Sequence, residues 1–242
     1  MRPLTVGPKN SLRILATTAA LCSAAATAFA ADVNSDYITP QFTFSPDDRY
    51  GVTIPVFHFD AAQEPDARTN QVVELSSQRV VAVIRQRVPG YDRALNFHET
   101  VPPRWSADST LLLWKVAGKW CPDSLVLLKI EQDHAKWQID LLKTAQQAVL
   151  SRTREAAPKQ YTVAKKSNAG NGSAFPEGFT IDVTTDGENG GTVSLPLGVH
   201  AQLTANPKQI EGKPNLDSRL DAIVTPDGKF MVKHFQLVPH IQ

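Results

Sequence analysis

The sequence predicts a mostly β, antiparallel protein with one long helix, and three observations predict it. Short runs rich in Val, Ile, Leu and aromatic residues recur with period-two alternation, separated by turns built on Ser, Pro, Asp and Gly. Only one stretch, about 141–157, carries apolar residues at helical spacing with no Gly or Pro through Ala157. Hydrophobic residues make up 42% and charged residues 20% of the 242, enough for a packed core and too apolar for a disordered chain. A β-sandwich or an α+β arrangement is the alternative compatible with the same pattern.

Taken in order, Gln41 to Ser45 and Tyr50 to Phe57 read as strands flanking Pro46-Asp47-Asp48, a turn with Pro at its first central position. Val72 to Leu75 and Arg79 to Ile84 flank Ser76-Ser77-Gln78 as a second hairpin. Thr110 to Val116, Leu125 to Ile130 and Lys136 to Ile139 continue the alternation. The helix follows, with Leu141, Leu142, Ala145, Ala148 and Val149 on one face and Lys143, Thr144, Gln147 and Ser151 on the other. Asp140 suits its N-cap, Arg152 and Arg154 suit its negative end, and Pro158 is expected to stop it. From about 165 to 198 the chain holds seven of its 13 glycines and predicts long turns. Phe179 to Val183, Val199 to Thr204, Leu220 to Thr225 and Phe230 to Leu237 complete a C-terminal β region. The last pair encloses Pro226-Asp227-Gly228-Lys229, the strongest hairpin signal in the chain.

Ahead of all this stands a leader. Arg2, Lys9 and Arg13 precede an uncharged run from Ile14 to Phe29, which closes on Ala28-Phe29-Ala30. A basic start, a short apolar run and an A-x-A exit describe a secretory signal peptide over 1–30. Leu21 stands before Cys22 where a lipid-attachment signal wants a small residue. Cleavage after Ala30 leaves a single β-rich domain, 31–242, and removes three cations and no anions from totals of 25 and 24. The mature balance is then 22 against 24, a net charge of −2. Such a chain offers no electrostatic footprint for nucleic acid or anionic lipid. No later segment approaches membrane-spanning length. The expected destination is the periplasm or the exterior, with no membrane insertion after cleavage. Cys121 becomes the only cysteine, so an internal disulfide is impossible; a buried, inert thiol is the expectation.

Internal similarity adds a second layer. Phe44-Ser45-Pro46-Asp47-Asp48-Arg49-Tyr50 aligns with Trp105-Ser106-Ala107-Asp108-Ser109-Thr110-Leu111, 61 residues on. Each copy is an aromatic residue, Ser-x-Asp, a polar step and then an apolar strand. Ser and Asp side chains can bond local amides and fix a tight turn between antiparallel strands. A third instance, Thr225-Pro226-Asp227-Gly228-Lys229-Phe230, comes 119 residues after the second. These turns resemble the blade repeats of periplasmic β-propellers of the TolB type, over about 41–142 and again in the hairpin at 220–237. The resemblance implies two propeller-like four-stranded units and a binding or scaffold role. Propellers close with at least four blades, and the helix stands where a third blade would begin, so the expected assembly is unclosed.

Chemical signatures are sparse. His58, His98, His134, His200, His234 and His240 never sit two or four apart, and His98-Glu99 is followed by Pro102 and Pro103 instead of a zinc helix. Asp182-x-Thr184-x-Asp186-Gly187 starts like a calcium loop but has Val193 at the twelfth position, so an Asp-Gly turn is expected. No Gly-x-Ser-x-Gly elbow or phosphate loop is present, and no metal, cofactor or catalytic residue is expected. Trp114, Lys119 and Trp120 are candidate binding residues, because an indole beside a lysine can stack a sugar ring or a partner's side chain. Arg93 and His98 join them from a long inter-unit segment, where function concentrates. The expectation is an exported, non-enzymatic binding or scaffold protein of the bacterial envelope, its partner an envelope protein or glycan. The alternative is a secreted hydrolase whose carboxylates and histidines meet only in the fold.

Overall fold

A computed structural model describes residues 37–55, 70–84, 99–117, 122–167, 176–188, 190–204 and 216–238. They form three antiparallel sheets and two α-helices, mostly β and not closed into a barrel. The N-terminal sheet runs β1-β2-β3-β4, from β1 (Tyr37–Ile38), β2 (Tyr50–Pro55), β3 (Gln71–Glu74) and β4 (Arg79–Val83). The central sheet holds β5 (Glu99–Thr100), β6 (Arg104–Trp105), β7 (Leu111–Ala117), β8 (Pro122–Glu131) and β9 (His134–Asp140). Both β5 and β6 pair with the same edge of β7, interrupted at Pro102-Pro103, where no amide is available for the ladder. The C-terminal sheet is a simple meander of β10 (Thr180–Thr185), β11 (Leu197–Thr204), β12 (Asp217–Val224) and β13 (Phe230–Val238).

The middle strands of the central sheet, β7 and β8, bury side chains on both faces, and this organises the molecule. Leu112, Trp114, Val116, Val126, Leu128 and Ile130 project one way, into a core shared with Tyr50, Val52, Val72, Val81, Ala82 and Ile84 of the N-terminal sheet. Leu111, Leu113, Leu125 and Leu127 project the other way, against the helices and the inner face of the C-terminal sheet. Side chains alternate along a strand, so a strand with two dry faces must be apolar at every position. That is why β7 opens Leu-Leu-Leu-Trp and β8 contains Leu-Val-Leu-Leu.

Between the central and C-terminal sheets lies α1 (Leu141–Ala156). Its first turn is capped as expected: Asp140 Oδ1 accepts from the Lys143 amide at 2.9 Å. Leu141, Leu142, Ala145 and Val149 are buried, whereas Lys143, Gln147 and Ser151 are exposed. The expectation of one helix ending at Pro158 is corrected. Pro158 does stop α1, but it is also the first residue of α2 (Pro158–Ser167), and the Tyr161 amide bonds back to the Ala157 carbonyl at 2.9 Å. Proline lacks the amide a helix interior needs, yet its fixed φ suits a helix start, so one residue does both. Tyr161 is buried against Phe179, and its hydroxyl donates to Glu177, which also receives Arg154 and Lys165.

Two further expectations are corrected. Gln41 to Ser45 is not a strand; Gln41–Thr43 is a 3-10 turn after Pro40. The Thr43 hydroxyl accepts from the Val52 amide at 3.1 Å and donates to the Pro40 carbonyl at 2.6 Å, so a side chain takes the place of a backbone ladder. The glycine-rich stretch of 165–198, expected as long turns around a strand at Phe179 to Val183, begins instead in α2, which runs to Ser167, and its strand β10 extends to Thr185. No helix among the described residues is long and apolar enough to cross a membrane.

The paired Ser-x-Asp turns share one set of bonds. Ser45 N donates to Tyr50 O at 2.8 Å, as Ser106 N does to Leu111 O at 2.9 Å. Ser45 Oγ donates to Asp47 at 2.7 Å and accepts from Tyr50 N at 2.9 Å; Ser106 Oγ repeats this with Asp108 at 2.5 Å and Leu111 N at 2.8 Å. Asp48 and Ser109, at the same step, both take left-handed φ, 53° and 57°. Each turn then hands its strand to a neighbour in the same way, Leu75 N to Arg49 O and Ile130 N to Thr110 O. The third turn is one residue tighter, with Thr225 N donating to Lys229 O. Its Gly228, at φ 78°, lies flat against the Trp137 indole.

Candidate functional site

The C-terminal sheet turns one face to the core and the other to solvent, and its polar face gathers the chemistry. Inward go Ile181, Val183, Val199, Ala201, Leu203, Leu220, Ala222 and Val224. On the outer face, Thr184, His200, Asp221 and His234 stand in register across β10 to β13. Asp182, Gln202, Arg219 and Gln236 form the adjacent row. A bulge at Asp221/Ala222 leaves Lys233 as an extra residue, so Lys233 and His234 are both exposed on the edge strand.

His200 is the centre of this face. Its Nδ1 lies 2.7 Å from Asp221 Oδ1 and its Nε2 lies 3.1 Å from Asp186 Oδ1. Ionised carboxylates only accept, and a neutral imidazole has one N–H, so both bonds together require the imidazolium. The hydrogen bond to Asp221 and then that to Asp186 raise the His200 pKa above its ordinary 6.5, against partial desolvation. Asp221 arrives by strand register alone. Asp186 arrives because β10 ends in the Asp186-Gly187-Glu188 turn, and because Gly198, two residues before His200, has no side chain. A Cβ on Gly198 would overlap the Asp186 carboxylate outright.

The central sheet holds this turn from behind. Arg104 donates through Nη1 to Thr185 Oγ1 at 3.2 Å and through Nε to the Gly191 carbonyl at 3.4 Å. Lys115 pairs with Glu188, and the Val193 amide donates to the Trp105 carbonyl at 3.1 Å. Burial lowers the Arg104 pKa below its ordinary value, with the charges of Glu188 and Asp186 opposing that shift. The turn is therefore tied to β6 and β7 through Thr185, Glu188, Gly191 and Val193, and to His200 through Asp186.

What the arrangement can do follows from its geometry. The two carboxylates approach opposite ring nitrogens, so no single point sees all three groups. Among the described residues no set of three His, Cys, Asp or Glu side chains converges as a metal site. With both nitrogens donating, His200 has no lone pair with which to take a proton from a nucleophile. The cluster instead presents hydrogen-bonding edges of both charges on an open sheet face.

Of the residues singled out from sequence, Trp114 is corrected: it is fully buried in the core between the N-terminal and central sheets. A strand apolar on both faces leaves its indole nowhere to meet a ligand. Lys119, Trp120, Arg93 and His98 lie outside the described residues, as does Cys121. Asp182 and Thr184 sit in a strand, and Asp186 and Gly187 make the expected Asp-Gly turn. The sequence signal for the His200 cluster was confined to polar positions alternating within apolar strands. His200 and Asp221 are joined by a register that no short motif encodes.

A second polar cluster braces the first two sheets. Asp133, in the β8–β9 turn, accepts from the Tyr50 hydroxyl at 2.6 Å and from Arg49 at 2.5 Å, and Arg79 pairs with both Asp133 and Glu74. Burial and then the bond to Asp133 push the Tyr50 hydroxyl up to about 12, so it stays a donor. The arginines are about half exposed, so solvent screens these pairs and they brace the sheets only weakly. Comparison of the chain with protein-family models, with curated proteins and with solved structures finds no match.

Proposed function

We propose that this chain is an exported, non-enzymatic binding or scaffold module of the bacterial envelope. Its contact surface, in this reading, is the outer face of the C-terminal sheet. The observation that carries the reading is His200 held on an open face between two carboxylates, built for contact and left without a free ring nitrogen for catalysis. The leader pattern of 1–30 supports export. The matched Ser-x-Asp turns, which resemble TolB-type blades, support a scaffold built from repeated hairpin units. Partners of suitable chemistry are an envelope protein or glycan rich in hydrogen-bonding groups of both charges.

The test is affinity capture from envelope extracts over a range of salt, wild type against His200→Gln, beside turnover assays on ester, glycoside and phosphoester substrates. Capture lost in the variant, without turnover, supports the reading; turnover dependent on His200 overturns it. The hydrolase reading retains one observation in its favour, a histidine–carboxylate pair with a raised pKa. It requires Asp186 to move away so that Nε2 is freed.

A further inference from the structure

We propose that His200 is a proton-operated staple, which when charged fastens the Asp186 end of the Asp186–Glu188 turn to the outer face of the C-terminal sheet and when neutral lets that end go. The proposal goes beyond the binding reading and stands whether or not a partner uses this face.

The argument is one of hydrogen count. Charged, the ring donates to Asp221 at 2.7 Å and to Asp186 at 3.1 Å; neutral, it can donate to only one of them. The shorter bond belongs to Asp221, which the β11–β12 ladder fixes through the His200–Asp221 pairing. The proton is therefore given up from Nε2, and its lone pair then faces the Asp186 carboxylate. Asp186 is the partner able to leave, because its carboxylate stands in a turn followed by Gly187, over the space that Gly198 leaves open, while Arg104 and Lys115 hold the flanking Thr185 and Glu188.

Other charges facing the ring come from every neighbouring element. Asp182 lies on β10, Glu188 follows Asp186 in its turn, Arg219 shares β12 with Asp221, and Lys233 and His234 lie on β13. Arg104 and Lys115 stand behind the turn, the latter paired with Glu188. Arg104, near enough to Asp186 to feel its charge, gives the released carboxylate an alternative partner. The bonds to Asp221 and Asp186 raise the His200 pKa, so the loosening falls above the ordinary value of 6.5.

Amide hydrogen exchange on the full chain, corrected for intrinsic rates and followed by NMR from about pH 5.5 to about pH 9 beside the imidazole titration, tests this. The reporter is the Asp186 amide, which donates to the Gly198 carbonyl at 3.1 Å. Its protection should fall several-fold as His200 titrates, in wild type and in His234→Gln alike. Asp186→Asn and His200→Gln should show no such step. Flat protection in wild type, or a step that survives in both staple variants, would overturn the proposal.

Discussion

Gly198 shows how little sequence it takes to build the site. Its only conspicuous property is the side chain it lacks, yet the Asp186 carboxylate occupies that space and reaches His200. Gly198→Ala should leave the fold intact and displace Asp186, lowering the His200 pKa toward 6.5 because one of its two raising bonds is lost. An imidazole titration by NMR checks this, and an unchanged midpoint contradicts it. The sign for stability follows: a raised folded pKa contributes stability that is complete below about 6.5 and disappears as pH rises through the folded value. Asp47 and Asp108 work in the opposite direction. Asp47 is lowered by the Ser45 hydroxyl and the Arg49 amide despite partial desolvation, and Asp108 is lowered first by Ser106. Their contributions are present above the ordinary value of 3.8 and are lost as pH falls through the folded values. At Gly228 the constraint is backbone: φ is 78°, and a Cβ would sit 2.8 Å from the Trp137 ring. Gly228→Ala should therefore cost ~1–3 kcal/mol in urea unfolding.

Among the elements, the two Ser-x-Asp turns make the sharpest comparison. Each serine hydroxyl accepts from a buried amide at the head of a strand, Tyr50 N in one and Leu111 N in the other, and Ser106 Oγ accepts from the Thr110 amide as well. Ser45→Ala and Ser106→Ala should each cost ~1–3 kcal/mol, the cost of an unsatisfied buried donor, and the two losses should be similar. Thermal or urea unfolding of the pair measures it; a large difference would show that the shared bonding is not shared energetics. These turns were legible because their bonds are local, Ser to Asp two residues on and Ser to an amide five residues on. Thr43 and Pro158 were misread for the complementary reason. Thr43 works through Val52, nine residues away, and Pro158 combines a stop and a start that propensity treats separately. The helix face was readable because α1 touches a single core along one stripe.

At the scale of the whole molecule, β7 and β8 supply side chains to both cores, so neither core can open alone. Trp114→Ala in one core should cost ~3–5 kcal/mol and Leu127→Ala in the other ~2–5 kcal/mol, and both should shift one cooperative transition. The apolar runs of β7 and β8 announced this burial; which sheet covers each face was not announced, because that depends on packing between sheets that no local pattern encodes. The His200 cluster was hidden likewise, its members 14 and 21 residues from the histidine, one in a turn and one on β12. The central claim is that this outer face is a binding surface and not a catalytic one. Capture from envelope extracts with immobilised wild-type chain, His200→Gln and the distant control Lys136→Ala tests it most directly. The account predicts a partner retained by wild type and Lys136→Ala and lost by His200→Gln; identical capture by all three, or none by any, would contradict it.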